Sequence, residues 1–250
     1  MLRFEGKVAL VTGAASGIAR ATCERLASEG GAIFGIDVNG DGLAETEAII
    51  KDAGGTIQVG VFDVTSREEC HQAVQATLDA FSRLDILINV AGIVRFRKFL
   101  EMSEEEWKLV HAVNLDGPFF LCQAAIPHLL ETSGNIVNVA SNAGLMGQAY
   151  TSSYCSSKGA LVQLTRSIAM EFLKSQIRVN AIAPGGVLTN LAHGIEFPDE
   201  LDMDLMQRFM SPRGMSDATE IAGAIAYLAS DEAKSVHGTI FSIDQGVTAG

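Results

Sequence analysis

The sequence predicts an α/β fold: a doubly wound parallel sheet with helices on both faces, in a single domain spanning 1–250. Three observations predict it. Short apolar, β-rich runs alternate along the chain with stretches of helical periodicity, the pattern of repeated βαβ units. The first run, Lys7–Thr12, breaks at once into glycines and then into a helix. Finally, 250 residues that are 48% hydrophobic and include 25 glycines supply a sizeable core and the tight turns such units need. No repeat, low-complexity tract or linker suggests a domain boundary.

Taken in order, Lys7–Thr12 reads as a buried parallel strand. Gly13-Ala-Ala-Ser16-Gly17-Ile18-Ala19 then opens a helical pattern through Leu26. A strand, a glycine turn and a helix N-terminus aim backbone N–H groups and the positive helix end at an anion, and the glycines let a diphosphate approach closely. An ordinary tight turn would look the same in isolation. The second strand, Ala32–Asp37, ends in a carboxylate twenty residues after Gly17. A carboxylate there accepts hydrogen bonds from both adenosine ribose hydroxyls and repels a 2′-phosphate, which favours NAD over NADP. Ser16 points the same way, since a basic residue in that turn would have welcomed the extra phosphate. The competing reading of Asp37 is a cap for the next helix.

A helix near Ala44 to Ala53 leads to a third strand, Thr56–Phe62, ending in Asp63-Val64. Asp63 is placed to meet an adenine amino group or to cap the helix from Ser66 to Arg83. The fourth strand, Asp85–Val90, contains Asn89 and runs into Ala91-Gly92, small residues that let the backbone lie against a flat ligand. A long helical region starts at Ser103, with Glu106 completing a capping box, and carries Asn114 mid-run and a kink at Gly117-Pro118. Asn114 must satisfy its amide; its position admits both a structural hydrogen bond and a held water.

Asn135–Ala140 is a fifth strand, and Ser141 lies just past its end, where ligands collect in open α/β sheets. Tyr154 and Lys158 stand four apart at the start of an apolar helical run, so a phenol and an ammonium share one face. Lowering a tyrosine pKa from about 10 to about 7 takes roughly 4 kcal/mol of preference for the phenolate. A lysine cation about 4 Å away supplies approximately that at an effective dielectric near 20, opposed by burial. The expectation is a tyrosine that acts as general acid or base near neutral pH. A sixth strand, Arg178–Ala183, breaks at Pro184-Gly185-Gly186, and Thr189 follows in a loop. Pro198–Arg213 reads as a short lid helix whose Met-rich face (Leu201, Leu205, Met206, Phe209, Met210) covers an apolar substrate or joins the core. A helix from Asp217 to Ser230 and a strand near Thr239–Asp244 close the chain.

A net charge of −12 argues against nucleic acid or an anionic membrane as partner. No uninterrupted apolar run reaches membrane-spanning length and the N-terminus lacks a signal-peptide stretch, so a cytoplasmic protein is expected. The four cysteines are widely spaced and the five histidines form no ligand-spaced pair, so no metal is expected.

Together, Thr12-Gly13-Ala-Ala-Ser16-Gly17-Ile18-Ala19, Asp63-Val64, Asn89-Val-Ala91-Gly92, Asn114, Ser141, Tyr154-x-x-x-Lys158 and Pro184-Gly185 resemble the classical short-chain dehydrogenase/reductase family over essentially the whole chain. The resemblance implies a Rossmann-like sheet of about seven strands with a substrate lid near 190–212. It implies Tyr154 as acid/base, Lys158 holding the ribose and lowering the tyrosine pKa, Ser141 orienting the substrate oxygen, and Asn114 supporting a proton-relay water. It further implies that Ile93 and Val113 line the cofactor, that Pro184, Gly185, Val187 and Thr189 meet its nicotinamide end, and that the chain forms a homotetramer. Ala19 departs from the usual third glycine, Val90 from a second asparagine, and Asp244-Gln245-Gly246 from the usual Asp-Gly-Gly.

The reading is an NAD-dependent oxidoreductase interconverting a secondary alcohol and a ketone, on a small molecule expected to be apolar. The alternatives are a 3-oxoacyl-thioester reductase, which Asp37 disfavours, and a catalytically silent dinucleotide-binding regulator. Arg95, Arg97 and Lys98 either bind an anionic substrate group or form a solvated basic face.

Overall fold

In a computed structural model, the structure describes residues 2–189 and 197–249. Among these, one parallel sheet has seven strands in the order β3-β2-β1-β4-β5-β6-β9. The strands are β1 (Val8–Thr12), β2 (Ala32–Asp37), β3 (Thr56–Val61), β4 (Ile86–Asn89), β5 (Asn135–Val139), β6 (Arg178–Pro184) and β9 (Ile240–Ile243). A separate two-residue pair, β7 (Val187–Leu188) with β8 (Ser216–Asp217), lies beyond β6. Every residue of β1, β4, β5 and β6 is buried, because helices cover both faces of a parallel sheet. Alternate residues serve opposite layers: Val11 and Ile88 face one core, Leu10 and Leu87 the other.

The first layer holds α1 (Gly17–Ser28) against the late helix α8 (Ala218–Ala229), with Cys23, Leu26, Ile221 and Ile225 filling the seam. The opposite layer holds α3 (Arg67–Phe81) and α5 (Gly117–Thr132), through Val74, Leu121 and Leu129. Helix α2 (Gly40–Asp52) starts four residues earlier than periodicity suggests, because the Asn39 side chain accepts from Gly42 N and caps it. Helix α6 (Ser152–Glu171) carries Tyr154 and Lys158.

The long helical region is α4 (Glu104–His111), a π-helical turn (Ala112–Asp116) and α5. The expected break is real, but it is an expanded turn just before Gly117-Pro118; such π turns recur at functional sites. Gly117 is required there, since a Cβ would lie 2.9 Å from the Val64 carbonyl oxygen. Glu104–Thr132 is, by length and composition, long and apolar enough to cross a membrane, although no uninterrupted apolar run marks it. Asn114, Asp116, Gln123 and His128 interrupt the run without lowering its mean enough. Its inner face packs on α3 and the sheet, as a core helix does.

The lid differs most from expectation. Only Met203–Gln207 (α7) is helical within Pro198–Arg213, and its cap is Asp202, whose carboxylate accepts from Asp204 N and Leu205 N, rather than Pro198. Of the proposed apolar face only Met206 is buried; Leu205 and Met210 are exposed. The first part of the expected lid, 190–196, lies outside the described residues.

Candidate active site

Strand order reverses between β1 and β4, and a cleft of about 460 Å³ opens at their carboxyl ends. The Thr12 hydroxyl oxygen accepts from Val90 N at 3.0 Å and Ala91 N at 2.9 Å, which splices the two strand ends together. Gly13 sits at φ +76°, and a Cβ there would lie 3.1 Å from the Ala91 backbone. The turn therefore needs glycine for both conformation and close approach.

Gly13, Ser16, Gly17 and Ile18 line one wall of the cleft. Helix α1 has no acidic residue in its first turn and its cap, Ser16, makes no side-chain capping bond, so its N-terminal dipole has no internal anion. Asp37, Asp63 and Val64 line the far end, and Ala91, Gly92, Ile93 and Val113 the floor. Asp37 does not cap α2, which Asn39 does; its carboxylate accepts from Asn39 N at 2.9 Å and Ala15 N at 3.3 Å and remains at the cleft. Asp63 accepts from Thr65 N at 2.9 Å, while Ser66 caps α3.

Six expected cofactor residues stand apart from this lining: Tyr154 and Lys158 on α6, and Asn89, Pro184, Gly185 and Val187. Asn89 is buried under the floor, donating to Asn138 Oδ1 at 2.8 Å. Gly185 lies against β9, where a Cβ would be 2.9 Å from Asp244 Cα; Pro184 ends β6, and Val187 pairs in β7. Thr189 does line the cleft, but beside the glycine turn, its side chain 3.3 Å from where a Gly17 Cβ would sit.

Ser141 follows β5, Tyr154 and Lys158 ride on α6, and a 3-10 turn (Asn142–Gly144) locks the two together. At Gly144 a Cβ would lie 2.7 Å from the Lys158 carbonyl oxygen, so only glycine lets the turn sit this close to α6. Ser141 stands near enough to the Tyr154 phenol to favour its ionised form, while its hydroxyl donates to Asn142 Oδ1 at 3.3 Å and accepts from Ala143 N at 3.2 Å. Lys158, 3% exposed, donates from Nζ to Val139 O at 2.8 Å and lies 5.8 Å from the Tyr154 ring centroid. Burial pulls this lysine down to about 8.

The phenol departs from expectation. Burial pushes Tyr154 above its ordinary value, with only Ser141 opposing it. The lysine ammonium is turned to a backbone carbonyl rather than to the phenol oxygen, so the chain by itself keeps this tyrosine protonated. Asn114 is likewise more committed than a water-holding side chain would be. Its Oδ1 accepts from Ile93 N at 2.9 Å, and its Nδ2 donates to Ile93 O at 2.9 Å and to Ser157 Oγ at 3.1 Å. The amide clamps the cleft floor to α6.

The basic trio separates. Arg97 pairs with Glu106 at 2.8 Å and Lys98 with Glu200 at 3.8 Å, whereas Arg95 lines the cleft. Sequence reasoning missed the side-chain tie from Gln148 Nε2 to Asn142 Oδ1, 3.0 Å, beside Ser141. Tyr150, at the end of the expected pocket stretch Asn142 to Tyr150, accepts at its hydroxyl from Asp202 N at 3.0 Å and so tethers the start of α7, a contact between distant segments that sequence does not show. Tyr150 holds φ +64°, unusual for a bulky residue and invisible in sequence.

Fold and cleft together define a doubly wound, Rossmann-like α/β protein built around a glycine-rich turn at its switch point. Comparison with known proteins narrows the class. A family model described as enoyl-(acyl carrier protein) reductase matches residues 13–248. The chain is 35% identical over 250 residues to a 3-oxoacyl-[acyl-carrier-protein] reductase of Thermotoga maritima, covering 98% of this chain and 99% of that one. It is 37% identical over 249 residues to a 2,5-dichloro-2,5-cyclohexadiene-1,4-diol dehydrogenase of Sphingobium indicum, covering 99% and 98%. A short-chain dehydrogenase from Mycobacterium paratuberculosis, solved bound to NAD, superposes with a TM-score of 0.92 at 29% identity, covering 99% and 100%. The chain belongs to the classical short-chain dehydrogenase/reductase family.

Proposed function

We propose that this protein is an NAD-dependent oxidoreductase that interconverts a secondary alcohol and a ketone. The observation that carries this reading is Ser141 at the end of β5 beside Tyr154 on α6, a helix whose Lys158 faces the Gly92 floor, its Nζ 3.3 Å from where a Gly92 Cβ would sit. The residues present fit a dinucleotide: Gly13, Ser16, Gly17 and Ile18 for the diphosphate, Asp37 for the adenosine ribose, Asp63 and Val64 for the adenine, and Asn89, Ala91 and Gly92 forming or supporting the floor. Pro184, Gly185 and Val187 lie outside the cleft lining and Thr189 beside the glycine turn, so their placement at the nicotinamide end rests on the family resemblance alone. When bound, the nicotinamide supplies the hydride acceptor or donor. Lys158 keeps N–H donors beyond its Val139 bond for the ribose hydroxyls. Ser141 holds the substrate oxygen; Tyr154 takes the hydroxyl proton in oxidation as a phenolate, a form that the positive charge of an oxidised nicotinamide would favour, and returns it in reduction. Asn114 supports the site by holding Ile93 in place.

Asp37 underlies the NAD preference. Arg20, the cation nearest the glycine turn, is committed to Glu45 at 2.7 Å, Thr46 Oγ1 at 2.9 Å and the Ala15 carbonyl at 2.6 Å, rather than held for a 2′-phosphate. The second reading, a 3-oxoacyl-thioester reductase, is favoured by the family model's description and the Thermotoga relative. We further propose a cytoplasmic homotetramer acting on a small molecule, its subunits meeting through exposed apolar side chains such as Trp107 and Phe119 on α4 and α5.

The test is Tyr154→Phe with hydride transfer and NAD binding both measured. Loss of about 100- to 10,000-fold in turnover with binding retained supports the mechanism; wild-type turnover overturns it. Calorimetry with NADH and NADPH separates the two readings, and tighter NADPH binding would move the thioester reductase to first place.

A further inference from the structure

Among the described residues, five other than glycine hold a positive φ, and three of them meet at the lid. Ser82 and Ser133 are C-caps of α3 and α5, where a left-handed residue is a common way to end a helix. Glu200 (φ +59°) lies in the lid, Tyr150 (φ +64°) holds Asp202 N, and Gln245 (φ +56°) stands in the C-terminal turn. Left-handed backbone is costly for a residue with a Cβ and persists where surrounding contacts over-determine it.

The contacts around Gln245 are of that kind. Its turn is built on Asp244, 6% exposed, whose carboxylate accepts from Gly246 N at 3.1 Å, Thr248 N at 2.9 Å and Thr248 Oγ1 at 2.6 Å. From that base Gln245 reaches the trailing end of the lid twice. Its carbonyl oxygen accepts from Ser211 Oγ at 3.1 Å, and its Nε2 donates to Ser216 Oγ at 3.2 Å. Ser216, 2% exposed, opens β8: its N donates to Gly186 O at 2.9 Å, and it stands opposite Val187 in β7. Thr189, at the cleft beside the glycine turn, follows Val187 by two residues. Both ends of the segment from 189 to 215 therefore converge on one two-residue pair, and the Gln245 amide braces it. The glycine usual at this position would adopt the same φ without strain but carries no amide.

We propose that Gln245 is a positioning residue that fixes the base of the lid, and through β7 the cleft residue Thr189, to the C-terminal turn. Its consequence for cofactor release rests on the reading of the cleft as a dinucleotide site; the bracing itself does not.

The experiment is amide hydrogen exchange read by mass spectrometry on the unliganded protein, with stopped-flow release of NADH as the second measurement. Gln245→Gly removes the amide and the strain together, so the thermal midpoint should hold while exchange in 202–217 speeds by about fivefold, the effect of one net hydrogen bond. Ser216→Ala should act alike, and the double variant should add nothing further, because both remove a single bond. NADH should leave either variant about two- to fivefold faster, as it does when a covering segment opens more readily. A bond that merely stabilised the fold would instead lower the midpoint and speed exchange throughout the chain, which would overturn the proposal. So would unchanged exchange in 202–217 in both variants, or faster exchange there with NADH release unaltered. Should one variant fail to fold, the other decides alone. Failure of the functional reading looks different: the wild type would bind no NADH, and the exchange measurement would then decide the bracing by itself.

Discussion

Lys158 is a charged side chain held almost entirely out of water on a single carbonyl bond. Its pKa falls from 10.5 to about 8, so below that value it is protonated in both folded and unfolded chains, and folding carries the full desolvation penalty. At roughly 1.4 kcal/mol per unit this is about 3 kcal/mol. As pH rises from about 8 through 10.5 the folded chain sheds the proton first, and the penalty disappears. Lys158→Met should therefore abolish turnover yet raise the unfolding free energy at pH 7 by about 1–2 kcal/mol, after roughly 1 kcal/mol for the lost hydrogen bond. Urea unfolding at pH 7 and pH 10 checks this, with the gain shrinking at the higher pH. Asp37→Ala should cost roughly ten- to a hundredfold in NADH affinity, because hydrogen bonds to a charged group contribute about 1.5–3 kcal/mol; calorimetry reads it directly. At this scale the sequence was informative about which side chains gather and poor on their protonation. The Tyr-x-x-x-Lys spacing brings Tyr154 and Lys158 together on any helix, but the upward shift of the phenol depends on burial and on where the ammonium turns, which are properties of the packed site.

The strands of the βαβ alternation were legible nearly to the residue, the helices less so, α2 starting four residues before its apolar periodicity does. Ala32–Asp37 was read with its observed bounds and Asn135–Ala140 within one residue, because buried parallel strands write themselves as unbroken apolar runs. The lid was not, since an acidic start after Pro198 and a Met-rich stripe satisfy helix rules without supplying anything to pack against. Its single described turn of helix is anchored instead by Tyr150 and by the Phe96–Phe197 ring contact at 5.0 Å, contacts between segments distant in sequence. The turn after Ser141 was visible only as a glycine. Because its Cβ position meets a carbonyl at 2.7 Å, Gly144→Ala should push the Ser141 turn away from α6. The expected outcome is about 1–3 kcal/mol lost in stability and a fall in kcat larger than any change in NADH affinity.

At the scale of the molecule, the order of strands was legible only through the resemblance, since apolar runs carry no record of their neighbours. Assembly leaves a fainter trace still: Trp107 and Phe119 are ordinary apolar residues until the fold exposes them on one helical rod. Phe119→Glu should shift the native mass downward in light scattering with the circular dichroism spectrum unchanged. The sheet itself has a consequence for how the chain is made. Its outermost strand on one side, β9, is separated in sequence from its partner β6 by β7, α7, β8 and α8, and among the described residues it pairs with β6 alone. Its approach is fixed by Asn180, which donates to Val236 O at 2.8 Å, and by His237, which accepts from Val179 N at 3.2 Å. On the ribosome, β6 emerges long before its partner, and an unpaired parallel edge is a template for other chains. The sheet can close only once residues 240–243 have emerged, so β6 carries an unpaired, aggregation-exposed edge throughout synthesis of the chain between the two strands.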